Sequence, residues 1–470
     1  MRKKQKNRFI LERISITDYA AEGKALVRHD GKVIFVSGAV PGDVVDIQIF
    51  KNKKDWAEGR VVRMIQPASD RIAPFCRHFG ICGGCKWQML PYPKQLQYKQ
   101  QEVAANFTRI GKLEIPEILP IIGSEKTVAY RNKLEFTFSN KRFLTNDEIK
   151  TDGIVPQQNA LGYHVPRIFD KVIDIFECHL MHPLNDNIRN TIRDIAIQHQ
   201  FSFYDIKEHT GWLRNIIIRY CTTGELMVNV CLNYEDENNR NLLLNHLLEQ
   251  VPTITTLLYT INPKWNDSIY DLTPQVYYGK GFVIEKLEDF QFIISPKSFF
   301  QTNTKQAEKL YRVTREFAGL TGNEVVYDLY CGTGSIGIFL STHAKKIIGV
   351  EVVEDAIEDA KKNALLNDIH HAHFFAGDVI KVCNDEFFHV NGKPDVVITD
   401  PPRAGMHEKL VIKLLEMEAP KIVYVSCNTA TQARDLALLS EKYRIEKIQP
   451  VDMFPHTHHI ECVVLLVLKN

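Results

Sequence analysis

The stretch Asp328-Leu-Tyr-Cys-Gly-Thr-Gly-Ser-Ile-Gly337 decides the fold of this chain. The apolar run Val325-Val326-Tyr327 leads into an acid, then into glycines, then into Ile336-Gly-Ile-Phe-Leu340, which has helical character. A strand, a tight glycine turn and a helix, in that order, build a site for a nucleotide-type ligand. Glycine lets the backbone approach a ligand where a Cβ would clash. The helix start behind it offers unpaired N–H groups. Gly332, Gly334 and Gly337 also satisfy the dinucleotide pattern G-x-G-x-x-G, so the turn alone does not choose the ligand. Outward from the turn, the chain alternates strands and helices from about residue 291 onward. Strands are expected over 325–329, 346–350, 372–375, 396–399, 422–426 and 463–468. That pattern predicts a doubly wound, Rossmann-like α/β domain over 291–470.

Upstream the periodicity changes. Short strands over 10–16, 25–27, 33–36, 44–49 and 57–64 are separated by Gly23, Asp30-Gly31, Pro41-Gly42 and the polar run 52–55. Many short strands with regular turn signals predict a small β-barrel over 1–67. Residues 67–74 read as a linker into a cysteine group, and 93–110 read as a helix. The rest of 68–290 mixes strands and helices, with a polar connection around 145–159, and is expected to be a central α+β domain. A chain of 470 residues accommodates about three domains at the usual ~150 residues each.

Lys and Arg total 58 against 57 Asp and Glu, so net charge by itself names no polyanionic partner. The distribution says more. Arg2, Lys3, Lys4, Lys6, Arg8 and Arg13 face only Glu12 in the first 13 residues, a basic arm compatible with nucleic acid or with a solvated tail. No run approaches the ~20 apolar residues of a membrane span, and the N-terminus lacks the apolar core of a signal peptide. A cytoplasmic, monomeric protein away from membranes is the expectation. In that reducing compartment the ten cysteines are read for metal or catalytic roles before disulfides.

Three thiols crowd into Cys76-x5-Cys82-Gly-Gly-Cys85, a spacing that fits an iron–sulfur cluster or zinc. The fourth ligand must come from elsewhere, and Cys178 in Phe176-Glu-Cys-His179 is the best candidate. Glu351 ends the second expected strand, where an acid meets a ribose diol, or stands solvated. Asp378 follows the third strand, placed to reach an adenine edge or simply to shape a turn. Thr399-Asp-Pro-Pro-Arg403 ends the fourth, where prolines fix a rigid loop beside the ligand crevice. Ser426-Cys427-Asn428 ends the fifth, a place for a nucleophile or for a packing thiol. Met453-Phe-Pro-His-Thr-His-His-Ile-Glu461 then enters the last strand, with Glu461 read as proton acceptor and the histidines as a polar loop.

Together these stretches, with Ser298-Phe-Phe-Gln-Thr-Asn303, resemble the RNA uracil-5-methyltransferases that act on 23S ribosomal RNA or on the T-loop of transfer RNA. The resemblance covers essentially the whole chain. It implies an N-terminal TRAM barrel that binds RNA and a [4Fe-4S] cluster on Cys76, Cys82, Cys85 and Cys178. It implies S-adenosylmethionine held by Gln301, Tyr330, Glu351, Asp378 and Asp400, with Cys427 as nucleophile and Glu461 as general base. The implied reaction is methylation of C5 of a specific uridine in 23S ribosomal RNA, with a transfer RNA uridine as the alternative. Tyr330 stands where some ribosomal members carry Phe, and Ser335 where they carry Asn. The chemistry gives the cysteine its purpose: C5 of uracil is a poor nucleophile until a thiolate adds at C6 and places negative charge on C5.

Two other classes compete. A dinucleotide oxidoreductase accounts for the glycines and Glu351 but needs neither Ser-Cys-Asn nor Asp-Pro-Pro-Arg nor Glu461. A non-catalytic iron–sulfur RNA-binding protein accounts for the barrel and cysteines but leaves Cys427 and Glu461 idle. Labelled S-adenosylmethionine mixed with unmodified RNA separates both from a methyltransferase.

Overall fold

The structure is a computed structural model that describes residues 9–149 and 158–469. Most of the basic arm (Arg2, Lys3, Lys4, Lys6, Arg8) and most of the 145–159 connection lie outside the described residues.

The N-terminal unit is one six-stranded sheet curled on itself. Its strands run in the order Phe9–Ser15, Val44–Asn52, Trp56–Gln66, Lys32–Ser37, Ala25–His29, Asp18–Tyr19. Ile14, Val27, Ile34, Val36, Val45, Ile47 and Ile49 alternate inward and fill its core, as a period of two requires. Three register shifts between Val44–Asn52 and Trp56–Gln66 bend the sheet. Gly59 is needed at the bend, because a Cβ there would lie 2.3 Å from Ile47 Cγ2.

The central unit is a seven-stranded, mainly antiparallel sheet, ordered Gln275–Tyr278, Thr256–Ile261, Leu226–Leu232, Leu213–Tyr220, Lys133–Ser139, Ala160–Val165, Ile168–Asp174. The helices Leu184–Gln198 and Glu237–Gln250 contribute Ile188, Ile192, Leu243 and Leu247 to its core. Two segments that lie wholly or partly in the expected 68–290 stretch pack instead on the C-terminal sheet. The helix Tyr92–Arg109 buries Val103 and Phe107 there, and the hairpin Val283–Leu287/Phe290–Ile294 buries Val283, Leu287 and Phe292 there.

The C-terminal sheet positions the site. Its order is Ala372–Ala376, Lys346–Glu351, Val325–Leu329, Val396–Thr399, Lys421–Ser426, Glu461–Leu468, Tyr443–Val451. The first five strands are parallel and the last two antiparallel, so this is the doubly wound α/β domain expected. The strand Lys421–Ser426 is buried at five consecutive positions, because helices cover both faces of a parallel sheet. Truncating Ile422 to Ala in that setting costs roughly 2–5 kcal/mol. Tyr443–Val451 had no place among the expected strands. It is an edge strand with a bulge between Ile445 and Lys447 and a proline at 450, features that blur the alternation. Among the described residues no helix is long and apolar enough to cross a membrane.

Candidate active site

The glycine turn sits at the carboxyl end of the central strand Val325–Leu329, the crevice position for ligands in such sheets. Asp328 is fully buried, and its Oδ2 accepts from Gly337 N at 2.8 Å, fixing the start of the following helix. Tyr330, Gly332 and Gly334 all take positive φ (62°, 53°, 77°), so the chain reverses tightly. A Cβ at Gly334 would meet the Phe374 ring at 2.9 Å, whereas at Gly332 it would meet nothing within 4 Å. Gly332 therefore faces open crevice. Glu351 ends the neighbouring strand, and its carboxylate accepts from Gly332 N (3.3 Å) and Val353 N (3.0 Å), so it braces the turn. Asp378 is exposed and caps the short helix Val379–Val382 through Ile380 N at 2.9 Å. Gln301 is buried, and its carbonyl accepts from Asn132 Nδ2 at 2.9 Å, which ties it to the central unit. Just beyond it, Asn303 caps the helix Thr304–Ala318.

Asp400 and Cys427 occupy the ends of the next two strands. Ser426 Oγ accepts from Asn428 N at 3.2 Å, and Asn428 Oδ1 caps the helix Thr429–Leu439 by accepting from Ala430 N (3.1 Å) and Thr431 N (3.4 Å). The half-buried Cys427 is thereby held one residue ahead of a helix N-terminus, where a thiolate is favoured. Burial nevertheless pushes its thiol up to about 12; the charges of Glu461 and Asp400 add to the rise, and Arg403 opposes it. Glu461 is buried at 4% exposure, its carboxyl driven well above the usual range by burial and then by Asp400, with Arg403 again opposing. The Asp400 carboxyl is pushed up to about 7 by burial. One thiol, two carboxyl groups and one arginine thus share a field at the carboxyl ends of the sheet.

The segment 452–460 leads from the last edge strand into Glu461 and reaches Arg403. Arg403 Nη2 lies 3.4 Å from His459 Nδ1, and the His458 and His459 rings are 4.2 Å apart. Burial pushes His456 and His458 down to about 4 and His459 to about 3, so all three are neutral near pH 7. The Arg131 guanidinium lies over the Phe454 ring at 4.9 Å.

Cys76, Cys82, Cys85 and Cys178 are half-buried and line one cavity of about 40 Å³ together with His78, Gln88 and Tyr163. Burial pushes the Cys85 thiol up to about 12 and raises those of Cys76 and Cys178. Backbone N–H groups of His78 and Phe79 reach Cys76, and that of Leu180 reaches Cys178; both lower the cost of thiolates. No group of three or more His, Cys, Asp or Glu among the described residues is placed to hold a single metal ion. Four thiols around one cavity supply the number of donors that a four-iron cluster requires. Cys221, Cys231, Cys331, Cys383 and Cys462 are buried core thiols, as expected.

Sequence reasoning missed three connections. Tyr311 Oη meets Ser335 Oγ at 3.0 Å beneath the glycine turn. Lys99 Nζ pairs with Asp452 Oδ1 at 2.6 Å, with both side chains fully buried. Gln95 is fully buried against His456. Tyr92, Gln95 and Lys99 fall on one helical face, where an apolar stripe is normal; a polar stripe in its place was the available signal.

Residues 275–469 match the family model for tRNA (uracil-5-)-methyltransferase, and residues 10–62 match the TRAM domain. An RNA methyltransferase of Bacteroides thetaiotaomicron is 53% identical over 96% of this chain and all of its own length. The chain belongs to the S-adenosylmethionine-dependent RNA uracil-5-methyltransferase family. A Porphyromonas gingivalis RNA methyltransferase is 51% identical over 97% of this chain and 99% of its own. Among solved structures, the Pyrococcus abyssi tRNA (uracil-54, C5)-methyltransferase, in complex with S-adenosyl-L-homocysteine, superposes with TM-score 0.74 and 28% identity. That alignment covers 97% of this chain and all of the other. Membership makes the chain an RNA-modifying enzyme and its N-terminal barrel a TRAM domain.

Proposed function

We propose that this enzyme methylates C5 of a specific uridine in 23S ribosomal RNA through a covalent bond between Cys427 and C6 of the base. The observation that carries this reading is the convergence of Cys427, Glu461 and Asp400 in one crevice beside the glycine turn. When bound, S-adenosylmethionine supplies the methyl group that C5 takes up. Glu351 and Tyr330 would hold its nucleoside, Asp378 its adenine edge, and Asp400 and Gln301 its reacting end. The open face at Gly332 supports that placement.

Cys427 Sγ adds to C6, helped by Arg403 and by the helix start at Asn428, and the ring electrons move to C5. After C5 is methylated, Glu461 takes the C5 proton, the C5–C6 double bond re-forms and the thiolate leaves. A carboxylate with a raised pKa is a stronger base once ionised, which suits that proton transfer. Cys76, Cys82, Cys85 and Cys178 would hold the [4Fe-4S] cluster, and the shared cavity with its N–H donors supports this. The route needs no electron, so the cluster serves as a staple between the linker and the central unit.

The resemblance of the cysteine motif supports ribosomal RNA. One finding favours a second reading, a T-loop uridine of transfer RNA: the Pyrococcus enzyme that matches along its whole length acts on uracil-54 of tRNA. Mapping 5-methyluridine in RNA from cells lacking the protein tests both. Loss from 23S RNA supports the first reading, loss only from transfer RNA moves the target to the second, and no loss in either overturns both.

A further inference from the structure

The helix Tyr92–Arg109 lies more than 350 residues from Glu461 in sequence, yet three of its side chains grip the segment that delivers this carboxylate. Tyr92 Oη donates to Asp452 Oδ2 at 2.7 Å. Lys99 Nζ donates to Asp452 Oδ1 at 2.6 Å and to the Phe454 carbonyl at 3.3 Å. Gln95 Oε1 accepts from His456 N at 2.8 Å, while its Nε2 lies 3.1 Å from His456 Nδ1. The residues just after Cys85 add to the grip, because Lys86 N and Trp87 N both donate to the His456 carbonyl (2.8 and 3.1 Å). His456 is held at φ 63°, a left-handed conformation that a non-glycine residue adopts at a cost. From the opposite side, Asn303 Nδ2 holds the Met453 carbonyl and Gln306 Nε2 holds the Asp452 carbonyl, each at 2.8 Å.

The gripped segment is the connection between the last two strands, and Val451 and Glu461 are Cα partners at its mouth. Fixing Asp452 and His456 therefore fixes where the strand Glu461–Leu468 begins. A buried ion pair is a costly way to stabilise a fold, since apolar residues of similar volume do as well. It does specify one arrangement of a loop.

We propose that Lys99 and Gln95 are positioning residues for Glu461, setting the base for the elimination step without touching the substrate. This inference rests on the assignment of Glu461 above. In that step the C5–H bond breaks and Glu461 receives the proton. The C–H electron pair forms the C5–C6 double bond, and the C6–S electrons leave with Cys427. A base displaced by a fraction of an ångström slows this step while leaving addition and methylation in place, so the methylated adduct accumulates.

The test uses the full-length protein with labelled S-adenosylmethionine and RNA prepared from cells lacking it. Lys99→Met, Gln95→Met and the doubly neutral Lys99→Met/Asp452→Asn are compared with Glu461→Gln. The expected result is a fall in kcat of roughly tenfold or more, with kcat/KM for RNA within about twofold, because addition and methylation precede the slowed step and KM falls along with kcat. A labelled protein–RNA adduct that survives denaturing electrophoresis should rise in parallel, and S-adenosylhomocysteine affinity should hold. The doubly neutral variant carries no unpaired buried charge, so a folding defect confined to Lys99→Met does not decide the matter. Variants that release product at the normal rate, or that lose adduct and cofactor binding together, overturn the inference. An adduct in Glu461→Gln but in none of the others defeats the inference alone. No adduct in Glu461→Gln defeats the assignment of the base, and the inference with it.

Discussion

Asn428 Nδ2 donates to the Arg403 carbonyl at 3.0 Å, so the turn that carries Cys427 and the proline loop that carries Arg403 are held as one piece. The same side chain caps the following helix with its oxygen. One residue thus does two separable jobs. Asn428→Asp keeps the acceptor and loses the donor, and should keep stability while lowering kcat. Asn428→Ala loses both and should cost about 1 kcal/mol of stability as well. Thermal melts set beside turnover rates check the separation; equal stability loss in the two variants would contradict it.

Activity should rise with pH. The Cys427 thiol is pushed up to about 12 by burial and by Glu461 and Asp400, so the thiolate fraction grows as pH increases. Arg403 opposes that rise, and removing its charge sends the thiol higher still. Arg403→Gln should therefore shift the rising limb of kcat/KM to higher pH, with cofactor affinity kept. An unmoved limb would remove Arg403 from thiolate stabilisation.

The protein purified without air should be brown, with iron and sulfide near the roughly four of each that one such cluster contains. Cys178→Ser should lose colour, iron and folding stability together, because ligation staples the linker to the central unit. Zinc in place of iron, or normal iron in Cys178→Ser, would contradict the assignment.

The TRAM barrel should neutralise RNA phosphates through exposed cations such as Arg28, Lys53 and Lys54. Replacing all three by Gln should weaken RNA binding and flatten its salt dependence, by up to about 0.9 in the log–log slope for each phosphate no longer neutralised. S-adenosylhomocysteine affinity should not change. Loss of both affinities would point to misfolding.

The residues whose placement was legible in the sequence are those set by a local pattern. Gly332, Asp400 and Cys427 each follow the carboxyl end of a parallel strand, where the crevice of such a sheet lies whatever the rest of the chain does. The carboxylate Glu461 was legible because it opens an apolar strand. What stayed hidden depends on distant partners. Nothing near Lys99 in sequence announces Asp452, and Gln95 looks like an ordinary helix-surface residue until His456 is packed on it. Asp378 was legible as a residue that shapes the turn after the third strand, and the cap on Ile380 N is that role; the adenine contact proposed for it depends on the bound ligand. The strand Tyr443–Val451 was obscured because a bulged edge strand need not alternate cleanly.

The most direct test of the covalent mechanism is mass spectrometry of the Cys427 peptide from Glu461→Gln after reaction with S-adenosylmethionine and unmodified RNA. The account predicts a nucleotide bonded to Cys427 that already carries the added methyl group, and no adduct or turnover at all in Cys427→Ala. Turnover in Cys427→Ala, or free methylated RNA released at the normal rate by Glu461→Gln, would contradict it.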